Sequence, residues 1–273
     1  MTARWQTGTV ACGGEEIYYE VSGDDDLPAI MLTHGMGGTH AAWFQQVPTL
    51  AANGFRVITW DCRGFGNSTF TSGVHGSAAA VADMAAVLDA TGTPSAHLVG
   101  QSMGGWWVTA YTVAHPARTH SLTLSNTVGG LWTTALLEHF REWTTEYVAN
   151  FGVEQRIGAH AAISPTFVER DPARAFLYQE LNTFHTPPMA AVGAALLTGD
   201  AVAHKDLDAT GVPVLVITST DDVLFPPHLV IDSAQLLANA SIVEVAGAGH
   251  STYFERPDLY NDALIASIEK AGR

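Results

Sequence analysis

Val99-Gly100-Gln101-Ser102-Met103-Gly104-Gly105 is the stretch on which the reading of this chain turns. It has the form Gly-x-Ser-x-Gly, with β-rich Ala96–Gln101 before it and a helical pattern over Met103–His115 after it. A serine between a strand and a helix sits on a sharp turn and presents its hydroxyl at the carboxyl edge of a sheet. Glycine suits positions 100 and 104 because a side chain at either would collide with neighbouring backbone in so tight a bend. The N-terminus of the following helix brings positive potential to the reacting oxygen. Ser102 is therefore a candidate nucleophile.

Outward from this turn, short β-rich runs alternate with helical stretches. Strands are expected at Thr9–Cys12, Glu16–Ser22, Ala29–Thr33, Phe55–Trp60, Ala96–Gln101, Ser121–Ser125, Val212–Ser219 and Ser241–Val245, with Gly13-Gly14 as a hairpin turn. Helices fit at His40–Asn53, Val74–Thr91, Met103–His115, Pro226–Ala238 and Pro257–Ala271. This alternation predicts an α/β fold, a mostly parallel sheet with helices on both faces. Residues 131–205 break the pattern: they carry helical spacing, no convincing strand and many aromatics, among them Trp132, Trp143, Phe151 and Phe184, punctuated by Pro165, Pro172 and Pro187-Pro188. The stretch reads as a helical lid over a pocket, inserted into a core made of residues 1–130 and 206–273. Trp132, Trp143 and Phe184 are candidate pocket residues.

A serine hydroxyl is a poor nucleophile at neutral pH and requires a base, which in turn requires an orienting acid. Leu215–Pro226 reads as a strand followed by an acidic turn that holds Asp221 and Asp222. Ala246-Gly247-Ala248-Gly249-His250 follows the last strand, where ligands collect on such sheets. His250 is the candidate base and one of the two aspartates the candidate acid. An oxyanion formed by serine attack needs two N–H donors. One is expected from Met103, directly after the nucleophile; the other comes from the turn His34-Gly35-Met36-Gly37-Gly38 and is assigned to Met36, with Gly35 as its neighbouring alternative.

Composition narrows the partners. Acidic residues outnumber Lys plus Arg by 27 to 12, a formal charge of −15 that repels phosphate backbones and anionic lipid, so neither nucleic acid nor a membrane surface is an expected partner. Apolar runs are short and interrupted, far from a span of ~20 residues. The first residues contain no apolar signal core, which makes the cytoplasm the expected location. Cys12 and Cys62 have no metal-type spacing and are expected to be reduced. There is no phosphate-binding Gly-x-x-x-x-Gly-Lys, no third glycine after Gly64-Phe65-Gly66 for a dinucleotide, and no His-Glu-x-x-His. Neither a cofactor nor a metal is expected.

Taken together, His34-Gly35-x-Gly37-Gly38, Asp61-x-Arg63-Gly64-x-Gly66-x-Ser68, Gly100-x-Ser102-x-Gly104-Gly105, Asp222-x-x-x-Pro226 and Gly249-His250 resemble the α/β-hydrolase superfamily, and the resemblance spans the chain from about Glu16 to Ala271. It implies an eight-stranded, mostly parallel sheet with a lid after the sixth strand. It implies that the acid ends the seventh strand, favouring Asp222 over Asp221, with Ser219 where a glycine is usual. Asn126 stands where some members carry the acid instead. Asp61 and Arg63 are expected to pin their loop by an ion pair. A serine at this turn argues against epoxide hydrolases and haloalkane dehalogenases, which use aspartate there. It remains compatible with esterases, lactonases, amidases, C–C bond hydrolases of meta-cleavage diketones, cofactor-free haloperoxidases or dioxygenases, and ligand receptors of the same fold. A serine hydrolase acting on a small carboxylic ester or lactone is the expected function.

Overall fold

The computed structural model describes residues 5–150, 161–184, 192–193, 196 and 201–272. Eight strands make one sheet: β1 Trp5–Cys12, β2 Glu15–Ser22, β3 Ala29–Thr33, β4 Arg56–Trp60, β5 Ala96–Gln101, β6 Thr119–Ser125, β7 Val214–Ser219 and β8 Ala240–Val245. Their spatial order is β1-β2-β4-β3-β5-β6-β7-β8. β2 runs antiparallel to both β1 and β4, and every other pairing is parallel. The expected sheet is thus present. Gly13 and Gly14, at φ 56° and 84°, make the two-residue hairpin turn that joins β1 to β2.

Boundaries moved where local chemistry overrode the pattern. β1 begins earlier than expected, at Trp5, because an edge strand half open to solvent needs little apolar periodicity. His40–Asn53 is two pieces, a 3₁₀ turn His40–Trp43 and the helix α1 Gln46–Ala52. The next helix, α2, spans Ser77–Ala90 and starts after Gly76 at φ 125° rather than at Val74.

Central strands are buried on both faces, as parallel strands between helices must be. Period-two alternation divides their side chains between two cores. Met31, Leu98 and Leu122 pack toward α2 and the helix α3 Met103–Ala114. Ile30, Leu32 and Val99 face the side that holds Trp43, Tyr260 and Leu264, covered by α1 and the helix Pro257–Ala271. Between β6 and β7 the described residues form helices α4 Thr134–Asn150, α5 Pro165–Arg170 and α6 Pro172–Leu181, and the turn of helix His204–Asp208. Phe151, Pro187 and Pro188 of the expected insertion lie outside the described residues. No helix among the described residues is long and apolar enough to cross a membrane.

Candidate active site

Parallel strands carry their carboxyl ends to one rim of the sheet, and the singled-out residues of the core follow those ends. Ser102 lies between β5 and α3 with φ 48° and ψ −118°, a backbone state that side chains rarely adopt. The bend is closed by contact. A Cβ on Gly100 would stand 2.5 Å from the Gly104 carbonyl oxygen, and one on Gly104 would stand 2.5 Å from that of Thr33. The Ser102 N–H donates to the Ser125 carbonyl at 3.0 Å, tying the turn to the end of β6. Met103 opens α3, so its N–H has no acceptor within the helix, and its side chain is buried.

The turn after β3 is fixed from below. Cys62 donates its N–H to Nε2 of His34 at 3.0 Å, which makes that nitrogen an acceptor and leaves Nδ1 to donate to the Gly35 carbonyl at 2.8 Å. Burial holds the His34 ring below the usual imidazole range, consistent with a neutral ring. The Gly35 carbonyl also accepts from Gly38 at 3.0 Å. A trans peptide whose carbonyl is turned toward His34 turns the Met36 N–H the opposite way. A Cβ on Gly35 would meet Ser102 Cβ at 3.1 Å, so this turn and Ser102 are in contact.

Asp222 and His250 form a buried pair, with Nδ1 of the imidazole 3.0 Å from Oδ2 of the carboxylate. Oδ1 of Asp222 accepts the N–H groups of Leu224 at 3.0 Å and Phe225 at 2.9 Å, and Oδ2 also accepts from Asn126 at 3.1 Å. A carboxylate so supplied with donors is fixed in direction. Asp221 faces elsewhere, accepting from Ser164 Oγ at 3.0 Å and from Thr220 Oγ1 at 2.8 Å. Nε2 of His250 is buried without a hydrogen-bond partner, so the Ser102 hydroxyl does not bond it in this structure. The two segments are nevertheless joined: Gln101 Nε2 donates to the His250 carbonyl at 3.1 Å.

Aromatic rings wall the imidazole on one side. Phe225 stacks on His250 with centroids 5.6 Å apart, and Trp132 lies 6.3 Å from Phe225. Phe140 stacks on Phe225 at 5.1 Å and Trp143 on Phe140 at 6.4 Å, so both tryptophans reach the site through intervening rings. Phe184 is 59% exposed, and its carbonyl accepts the Gly66 N–H at 2.8 Å.

One expectation is corrected. Asp61 and Arg63 do not pair with each other. Asp61 accepts the His40 N–H at 2.6 Å, its ring Nδ1 at 2.9 Å and the Asn67 N–H at 2.8 Å. Burial pushes the Asp61 carboxyl up, but His40 and these donors outweigh it and hold it below the usual range. Arg63 reaches α2 instead, with Nε and NH2 at 2.6 and 2.8 Å from the two oxygens of Asp83. Each residue still pins the loop, Asp61 to the turn after β3 and Arg63 to a helix.

The contacts of several residues at the site were not marked in the sequence. Gln101 and Phe225 sit beside motif residues, but nothing in their type marked their direction. Ser219 donates to the Gly249 carbonyl at 2.6 Å and accepts from Asn126 at 2.8 Å, so the serine in place of glycine ties β7 to the histidine loop. Among the described residues no three His, Cys, Asp or Glu side chains converge to hold a metal ion.

A family model described as alpha/beta hydrolase fold matches residues 28–257. RutD of Caulobacter sp. strain K31, a proposed carbamate hydrolase, is 30% identical over 95% of this chain and 97% of its own. BpoC of Mycobacterium tuberculosis, a proposed non-heme bromoperoxidase, is 29% identical over 90% of this chain and 95% of its own. Among solved structures, the esterase RhEst1 from Rhodococcus sp. ECU1013 is similar with a TM-score of 0.77 and 25% identity, covering 100% of both chains.

Proposed function

The chain belongs to the alpha/beta hydrolase fold family, and on that premise we propose that it is a serine hydrolase cleaving a small carboxylic ester or lactone through an acyl-enzyme. Ser102 Oγ attacks the carbonyl while Nε2 of His250 takes its proton, and Asp222 holds the ring and stabilises the imidazolium. The Met36 and Met103 amides receive the oxyanion. His250 then protonates the leaving group, and a water activated by the same nitrogen releases the acid. No step requires a cofactor. The observation that carries this reading is the buried Asp222–His250 pair, whose outer nitrogen Nε2 is unpartnered on a loop tied to the serine-bearing strand by Gln101. The aromatic wall of Phe225, Phe140, Trp132 and Trp143 supports a modest apolar group on the substrate, whereas no contact joins the exposed Phe184 ring to that wall among the described residues.

The test is a panel of p-nitrophenyl acetate and butyrate, a small lactone, an alkyl carbamate and a meta-cleavage diketone, assayed with wild type and Ser102→Ala. Turnover of an ester or lactone is expected, with a loss of at least ~10³-fold in kcat for the variant. Near-normal turnover by Ser102→Ala would refute the nucleophile. Saturable binding of the whole panel without turnover would favour a receptor. The carbamate is included because RutD's name points to that bond, whose carbonyl accepts the same attack.

A further inference from the structure

Glu255 is a buried carboxyl that the proposed mechanism does not use. It ends the short helix Thr252–Glu255 with 2% of its surface exposed, and among the described residues no cation lies within ion-pairing distance of it. Its two oxygens are divided between two backbone amides. Oε1 accepts the N–H of Gly249 at 3.0 Å, and Oε2 accepts that of Ser164 at 3.1 Å. Gly249 directly precedes His250, and Ser164 caps the N-terminus of α5 in the segment between β6 and β7. The two backbones touch: a Cβ on Gly249 would stand 2.6 Å from the Ser164 nitrogen.

The geometry points to Glu255 as a positioning residue that seats the histidine loop and the entry of α5 on one ionised carboxylate, so that both segments loosen together when it takes a proton. The inference rests on the serine-hydrolase reading for its effect on turnover, though not for its effect on the two segments. An ionised carboxylate is acceptor-only and serves both N–H groups. A protonated one turns one oxygen into a hydroxyl, a weaker acceptor whose O–H must itself donate, and one of the two buried amides is then poorly served. Glutamine would impose the same conflict at every pH.

The surroundings set the proton's affinity near neutrality. Burial pushes the Glu255 carboxyl up to about 7, against the two amide bonds and the field of Arg170 from α5, with Asp221 on the turn after β7 pushing the same way as burial. Tyr253 on its own helix faces it with a hydroxyl kept protonated by burial. From α6, Tyr178 is engaged with Ser251 and Arg174 with the Phe254 carbonyl.

The experiment is hydrogen exchange by mass spectrometry on the full chain from pH 5 to 9, corrected for intrinsic rates, beside kcat and KM on the ester turned over best. Protection of peptides covering 161–166 and 246–251 is expected to rise together through neutral pH in wild type. In Glu255→Gln that step should vanish, with low protection throughout, kcat about tenfold lower and KM within about twofold. Unchanged protection and kcat in Glu255→Gln would overturn the inference, as would two segments that gain protection at different pH in wild type. Should the variant fail to fold, the wild-type series decides alone. An absence of turnover on every substrate would sink the hydrolase reading and leave the exchange result standing.

Discussion

Asp221 and Asp222 are neighbours on one turn, and their hydrogen bonds separate them. Asp222 points at His250 and takes two backbone amides on its other oxygen, whereas Asp221 is turned to Ser164 and Thr220. Asp222→Asn is therefore expected to lower kcat by roughly 10²–10⁴-fold, since an amide at that oxygen no longer enforces the imidazole tautomer. Asp221→Asn should cost less than tenfold. Steady-state kinetics on both variants checks the order, and a larger loss at Asp221 would reverse the assignment. Ser219→Gly should keep the fold but lower kcat several-fold, because the Gly249 carbonyl loses the hydroxyl that holds it at 2.6 Å. Unaltered kinetics there would reduce that bond to a bystander.

Among the elements, the loop after β4 shows what residue patterns reveal and what they hide. The resemblance marked Asp61 and Arg63 as structural, but not their partners. Arg63 meets Asp83 from α2, 20 residues away, and both side chains are buried. Arg63→Met should lower unfolding free energy by about 3–5 kcal/mol at neutral pH, because Asp83 is left buried and unpaired. Adding Asp83→Leu should restore much of the loss, and denaturant unfolding of the single and double variants measures both. A single variant as costly as the double would show that packing, not the stranded charge, is responsible. The strands were legible because β3 to β8 are short apolar runs bounded by turn residues, a local signal. Ser102, His250 and the acidic turn were legible because each directly follows such a run. Glu255, Gln101 and Asn126 were not, since their roles arise from contacts between segments up to 149 residues apart, as between Gln101 and His250. The split of His40–Asn53 was hidden because an apolar pattern does not record where a 3₁₀ turn replaces a helix.

For the molecule as a whole, stability should fall toward acid on two groups and be opposed by a third. Burial, helped by His120, lowers the His97 ring to about 4, so the folded state refuses a proton that the unfolded chain accepts. This contribution is complete above the ordinary imidazole range and is lost as pH falls toward 4, on the order of 3 kcal/mol. For Glu15, burial pushes the carboxyl up, but bonds from Thr69, Ser72 and Thr71 outweigh it and bring it to about 2, so its contribution disappears at still lower pH. On global unfolding, which exposes its carboxyl to water, Glu255 acts in the other direction, and stability falls as pH rises toward 7. The local loosening of its two segments has the opposite sign, because it leaves the carboxyl buried and removes only the amide bonds that favour its ionised form. Urea unfolding at pH 4.5 and 7 should show a smaller pH slope in His97→Gln than in wild type; an equal slope would remove His97 from the account. One consequence reaches the whole chain from a single backbone angle. At φ 48° Ser102 occupies ground that glycine holds without effort, so on the proposed reading of this serine as nucleophile the most heat-resistant sequence and the most active one are expected to differ at this position. Selection for thermal tolerance alone, with no demand for turnover, should discard the serine early.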